Sequence, residues 1–246
     1  MDLIISAATH RTGSTLLQRI FNARAKTLIW GEQDGALTHF FKIYKKAEHY
    51  SVDLSDQRRK YFENNEDPNR WIACMMPELE YVEEAIINSI KVFCETLYTK
   101  YPGNHDIIGF KEVRYGEDEL TLFRKCYPKA EIILLVRNPV DVWKSMIGVG
   151  LGNNVNRMVQ KWNRNTEYYL KLAQNDPKAH LILYEDMINR DKGTLDLISD
   201  LGQLTKQEID HVLNKKILST SKEIAAKQRE FIVNKCEKIM KECNYI

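Results

Sequence analysis

The sequence has little that would tie it to a nucleic acid, a membrane or an oxidising compartment. Lys and Arg total 36 against 34 Asp and Glu, a formal net charge of +2 over 246 residues. So small an excess gives no field able to hold a polyanion or an anionic bilayer, and leaves only local basic sites. No apolar run approaches the roughly 20 residues that span a bilayer; Ile132 to Val136 is closed off by Arg137 and reads as a buried strand. Asp2 leads directly into Leu3-Ile4-Ile5, without the basic and then apolar leader of a secreted chain. The five cysteines (Cys74, Cys94, Cys126, Cys236 and Cys243) are odd in number and lack the close pairing of a zinc site, so they read as buried, reduced thiols. These absences predict a soluble, cytoplasmic protein with no nucleic-acid or membrane partner. Oligomeric state is left open.

What is present is a chain whose hydrophobic content, 43%, suffices for the core of one α/β domain spanning 1–246. Leu3 to Ala7 reads as a strand, Leu16 to Phe21 as a helix and Thr27 to Trp30 as a second strand, a βαβ start with parallel pairing. Further strands are expected at Asp106–Lys111, Glu131–Val136 and His180–Tyr184. Helices are expected at Glu117–Cys126, from Pro139, over Arg157–Leu172, over Thr205–Leu213 behind a Thr205/Glu208 capping box, and over about Lys222–Glu242. The stretch from about 35 to 105 is helical in pattern, broken by the turn-prone run Asn64 to Asn69, and reads as a helical insertion or cap. Its Tyr44, Tyr50, Tyr61 and Trp71 either line a pocket or pack a core. The alternation predicts a P-loop-like, three-layer α/β fold with a central, mostly parallel sheet flanked by helices.

Two strand-to-helix turns carry the chemistry. In Ala8-Thr9-His10-Arg11-Thr12-Gly13-Ser14-Thr15, backbone N–H groups and a helix dipole converge where an anion can sit. Measured against G-x-x-x-x-G-K-[ST], Gly13 and Thr15 fit, Ala8 replaces the first glycine, and Ser14 stands at the lysine position. The cation comes earlier, at Arg11, whose planar fork can hold two oxygens. Alternatively the loop is a polar turn in which Ser14 or Thr15 only caps the helix. The second turn is Val136-Arg137-Asn138-Pro139, with an N-cap and a proline at the first helical position, and Ser145 two turns on. An NTPase needs a metal-binding Asp at such a strand end; here Arg137 stands there, which repels a metal and accepts a second phosphate, or else pairs with a helix-end carboxylate.

The segments Arg11 to Thr15, Arg137 to Ser145 and Leu183-Tyr184-Glu185-Asp186, with a closing helix around Cys236 to Tyr245, together resemble the sulfotransferases that use 3′-phosphoadenosine 5′-phosphosulfate (PAPS). The likeness is to the branch containing tyrosylprotein and bacterial sulfotransferases. It implies that Arg11, Thr12, Gly13, Ser14 and Thr15 hold the 5′-phosphosulfate, that Arg137 and Ser145 hold the 3′-phosphate, and that 3′,5′-adenosine bisphosphate is the product. It also implies metal-independent in-line transfer to a hydroxyl or amine of a small-molecule acceptor. Residue 138 is Asn where Asp is frequent in the family.

Glu32, just past the second strand, resembles the strand-end base of that branch; His10 and Glu112 are the competing bases. Lys111 is assigned to the sulfonate or to plain strand-end packing, Tyr184 to the nucleotide or the core, and Lys227 with Arg229 to closure over the cofactor or a solvated helix face. Two other functions fit the same loops: an ATP-dependent P-loop kinase of a small metabolite, and a nucleotide-binding module without turnover.

Overall fold

A computed structural model describes residues 1–101, 103–215 and 221–246. Its elements run β1 (Leu3–Ala7), α1 (Ser14–Phe21), β2 (Thr27–Trp30), α2 (Ala36–Asp53), α3 (Ser55–Glu63), α4 (Leu79–Tyr98), β3 (Ile107–Glu112) and α5 (Glu117–Cys126). They continue with β4 (Glu131–Val136), α6 (Pro139–Gly148), α7 (Val155–Asn175), β5 (Ala179–Leu183), α8 (Tyr184–Ile188), α9 (Lys192–Gly202), α10 (Lys206–Leu213) and α11 (Ala226–Glu242). The chain forms two compact units, one of Met1–Gly35, Tyr101–Glu117 and Lys129–Ile246, the other of Ala36–Lys100 and Asp118–Pro128.

The first unit holds a five-stranded, all-parallel sheet in the order β2-β3-β1-β4-β5. The expectation that β1 pairs directly with β2 does not hold, because β3 lies between them. Burial gives the reason: every residue of β1 is buried, whereas β2 alternates buried and half-buried and suits an edge. One face of the sheet, with Leu3, Ile5, Ile133 and Leu135, packs on Leu17, Ile20 and Phe21 of α1, Ile198 of α9 and Ile209 of α10. Each such side chain removed from water contributes about 1.5–3 kcal/mol. On the other side α7 packs on β4 and β5, and α11 lies against α6 and α7. Because all strands are parallel, their carboxyl ends share one edge, which is where α/β sheets gather ligands.

Local caps follow the sequence. Asn138 accepts from the Val140 amide at the start of α6, Asn154 from the Arg157 amide at α7, and Thr205 with Glu208 forms the expected capping box of α10. The strand expected to reach Tyr184 stops at Leu183, and Tyr184 opens α8.

In the second unit α2 packs on α4. Arg58 is buried and donates to the carbonyls of Ser51 at 2.9 Å and Met76 at 2.8 Å, stitching α3 to the loop before α4. Tyr50 and Trp71 are exposed, 44% and 53%, so the core reading fails for these two; Trp71 stacks edge-on against Tyr61 instead. Cys94, Cys126, Cys236 and Cys243 are buried free thiols as expected, while Cys74 is exposed. Among the described residues no helix is long and apolar enough to cross a membrane.

Candidate active site

The first loop leaves β1 at Ala7 and is built to stay open. Its polar side chains that turn inward are used by the loop itself: the fully buried Thr12 hydroxyl donates to the Thr9 carbonyl at 2.7 Å. Asn165 of α7, also buried, donates to the Ala8 carbonyl at 2.9 Å. Arg11 (φ 66°) and Gly13 (φ 95°) both adopt left-handed backbone. At Gly13 this suits the residue, since a Cβ there would lie 2.3 Å from the Tyr184 ring. Gly13 is also the N-cap of α1 and, having no side chain, makes no capping hydrogen bond to the first turn of that helix. A helix start whose N-cap makes no side-chain hydrogen bond is a place where an anion can be held.

The second turn converges on the first. Arg137, at the end of β4, donates from Nη1 to the Arg11 carbonyl at 3.1 Å, and its guanidinium lies 4.4 Å over the Tyr184 ring. The Arg137 carbonyl accepts from the indole of the fully buried Trp162 at 2.9 Å. Its Nε is buried and has no hydrogen-bond partner among the described residues. One helix further, Ser145 accepts from Arg11 Nε at 3.1 Å. The residues expected to hold opposite ends of a nucleotide thus touch one another around a single pocket of about 430 Å³ lined by Arg11, Gly13, Ser14, Thr15, Arg137, Ser145 and Tyr184. His10 and Glu32 line the same pocket.

At the carboxyl ends of β2 and β3 lies a charged cluster. Lys111, 5% exposed, pairs with Glu32, whose other oxygen receives Arg114 Nη1 at 3.3 Å. Burial raises the Glu32 carboxyl, but the hydrogen bond and charge of Lys111, with His10 and Arg114, outweigh it and leave it below the ordinary value. His10 is pushed below its ordinary value by burial and then by the charges of Lys161 and Arg114, against the opposing pull of Glu32 and Glu112. At neutral pH the pocket therefore presents a carboxylate beside a neutral imidazole. Glu112 has no free lone-pair direction of comparable use: it is fully buried, and its oxygens accept from the amides of Gln33, Gly35 and Val113 and from Arg114.

Not every expected residue reaches the pocket. Thr12 and Lys111 are buried and Lys227 and Arg229 are exposed at the start of α11, and none of the four is among the described residues that line it. Part of the segment expected to lead into α11, residues 216–220, lies outside the described residues. Conversely, Arg19, Val113, Leu151 and Ser221 line the pocket without having stood out in the sequence. Arg19 was within reach of sequence reasoning, because it follows Thr15 by four residues and so shares its helix face. Leu151 and Ser221 lie on loops, where spacing carries no orientation.

Among the described residues, no group of three or more His, Cys, Asp or Glu is arranged to hold a metal ion. The sulfotransferase family model matches residues 4–208, from β1 through most of the sheet unit, and the chain belongs to that family. Its fold is that of solved sulfotransferases. The sulfotransferase domain of the Synechococcus PCC 7002 olefin synthase is similar at a TM-score of 0.58 and 16% identity, covering 97% of this chain and 94% of that one. Sulfotransferase STF9 from Mycobacterium avium is similar at 0.56 and 10% identity, covering 97% and 76%. Mouse sulfotransferase SULT7A1, solved in complex with PAP, is similar at 0.51 and 11% identity, covering 99% and 85%. No curated protein sequence matches the chain significantly.

Proposed function

We propose that this sulfotransferase takes its sulfuryl group from PAPS and passes it to a hydroxyl or amine of a small molecule by in-line, metal-independent displacement. The observation that carries the reading is the contact of Arg11 with Ser145, which brings a helix-start anion loop and a strand-end arginine segment to one pocket. Three features fit a ligand with anionic groups at two places: the start of α1, which its N-cap Gly13 does not cap, the buried Arg137 Nε that has no partner among the described residues, and the Arg11 fork. PAP bound to mouse SULT7A1 supports the same choice of nucleotide.

PAPS supplies an activated sulfuryl group with a nucleotide phosphate as its leaving group. Within the proposal, the amides of Gly13 to Thr15 and the Arg11 guanidinium hold the leaving phosphate, where negative charge grows during transfer. Arg137 and Ser145 hold the 3′-phosphate, and the Tyr184 ring keeps the Arg137 fork turned to the pocket. Glu32 takes the acceptor proton; its carboxylate is ionised, lines the pocket and is oriented by Lys111. On taking the proton Glu32 becomes neutral, and the Lys111 ammonium beside it loses its ion-pair partner. A second base is favoured by one observation, the neutral imidazole of His10 in the same pocket. The helical stretch of about 35–105 is proposed to select the acceptor, and the chain to act as one domain.

The test is thermal unfolding with adenosine 3′,5′-bisphosphate, then turnover of labelled PAPS with a metabolite extract and identification of the sulfated product by mass. Ligand at a hundred times its Kd should add about 2.7 kcal/mol of stability. Greater stabilisation by ATP with Mg²⁺ than by the bisphosphate would instead indicate a kinase. Binding without turnover on any acceptor class would indicate a binding module.

A further inference from the structure

Glu185, the residue after Tyr184, is placed with one oxygen on each of two elements. Its Oε1 accepts from the Asn138 amide at 3.0 Å, at the start of α6 and next to Arg137 in the chain. Its Oε2 accepts from the Tyr245 hydroxyl at 2.9 Å, just past α11. Glu185 is therefore a carboxylate on the amide that directly follows the arginine assigned by the proposed function to a phosphate, yet its oxygens go to Asn138 and Tyr245 and not to that arginine. Arg137 is instead held by Tyr184 and the Arg11 carbonyl, with its buried Nε unpartnered among the described residues. An unrestrained carboxylate in that position would neutralise the cation and repel the incoming anion.

We propose that Tyr245 is a positioning residue of the nucleotide site: its hydroxyl holds Glu185 on the Asn138 amide and so keeps the carboxylate from quenching Arg137. The inference rests on the reading of Arg137 to Ser145 as a phosphate site. Tyr245 acts through Glu185 and need not touch the ligand. Half-buried at its place after α11, its ring keeps its packing when only the hydroxyl is removed.

The experiment compares the wild type with Tyr245→Phe, Glu185→Gln and the double variant. Calorimetric titration with adenosine 3′,5′-bisphosphate measures the site, exchange of the Asn138 amide measured by NMR follows the restraint without ligand, and thermal melts control for stability. Losing one hydrogen bond's restraint should weaken bisphosphate binding by Tyr245→Phe about three- to tenfold. The Asn138 amide should exchange faster, with little change in melting temperature. Glu185→Gln, which cannot quench a cation, should bind within about twofold of wild type and restore the double variant to that level. That rescue is the readout a merely structural tyrosine does not give. Unchanged affinity in Tyr245→Phe, a loss that Glu185→Gln fails to rescue, or strong weakening by Glu185→Gln alone overturns the inference. If the wild type binds no bisphosphate, the cofactor reading fails separately, and an unchanged Asn138 exchange rate in Tyr245→Phe then overturns the restraint itself. Should Tyr245→Phe not fold, the Glu185→Gln titration decides.

Discussion

Arg11 Nε donates to Ser145 Oγ at 3.1 Å across 134 residues of sequence. The two segments proposed to bind anions are therefore in direct contact, and each arginine is partly oriented by the other segment: Arg11 by Ser145, Arg137 by the Arg11 carbonyl. Such pre-organisation lowers the ordering cost of binding a ligand with two anionic groups.

Replacing Arg137 tests this directly. Arg137→Ala removes a charged partner for a phosphate and should weaken bisphosphate binding about ten- to a hundredfold, at roughly 1.5–3 kcal/mol for a hydrogen bond to a charged group. Arg137→Lys should recover little, because an ammonium cannot reproduce the planar fork or its stacking over Tyr184. Isothermal titration checks both, and full recovery with lysine would count against a fork-shaped contact.

The proton acceptor is separable by pH. Glu32 lies below its ordinary value of 4.5, so if it is the base the acid limb of the rate profile falls below pH 4.5. A His10 base is lowered from 6.5, so a limb found between pH 4.5 and 6.5 would point to His10 and away from Glu32. Glu32→Gln should lower kcat by about 10²–10⁴ if it is the base, whereas His10→Gln should leave the rate within a few-fold. The reverse pattern transfers the role to His10. The same shift makes a stability statement: the folded-state pKa of Glu32 is depressed, so its contribution is present above the unfolded value and is lost as pH falls through the folded one. Glu32→Gln should accordingly flatten the melting temperature's dependence on pH below 4.5.

Gly13 carries both a backbone and a packing constraint. Gly13→Ala must adopt left-handed backbone, at about 1–2 kcal/mol, and its methyl would displace the Tyr184 ring 2.3 Å away. Chemical denaturation should show that loss of stability, and bisphosphate affinity should fall as well because Tyr184 supports Arg137. A variant as stable and as tight as wild type would mean that the loop relaxes freely.

Tyr169 supports the site from beneath. Its hydroxyl, fully buried, donates to the Tyr115 carbonyl at 2.9 Å and meets Ser6 Oγ at 2.7 Å. Tyr169→Phe leaves those groups without that partner and should cost about 1–3 kcal/mol in denaturant unfolding. Its partners Ser6 and Tyr115 are not among the residues that line the pocket, so bisphosphate affinity should stay near wild type; a large loss of affinity at full stability would show that α7 positions the loop more tightly than these two bonds imply.

Much of this molecule was legible in its sequence, for reasons that are local. Continuous apolar runs marked β1 and β4, the 3.6-residue period marked α1, and Asn138-Pro139 and Thr205/Glu208 marked helix starts, because each depends on neighbours within a few residues. Both arginine-bearing turns were visible for the same reason. Strand order was not: β3 slips between β1 and β2 because of how completely each is buried, which is a property of the whole sheet. The state of the charged side chains was equally a matter of tertiary structure. Sequence placed Glu32, Lys111 and Glu112 as comparable strand-end groups, but folding gave Glu112 four donors and buried it, paired Lys111 with Glu32, and left Glu32 facing the pocket. The sequence by itself determined that two arginine-bearing strand-to-helix turns and a parallel sheet would form. Only the tertiary structure decided that Arg11 meets Ser145 and that Tyr245 meets Glu185, since such contacts across 134 and 60 residues follow from packing and leave no periodic trace in the chain.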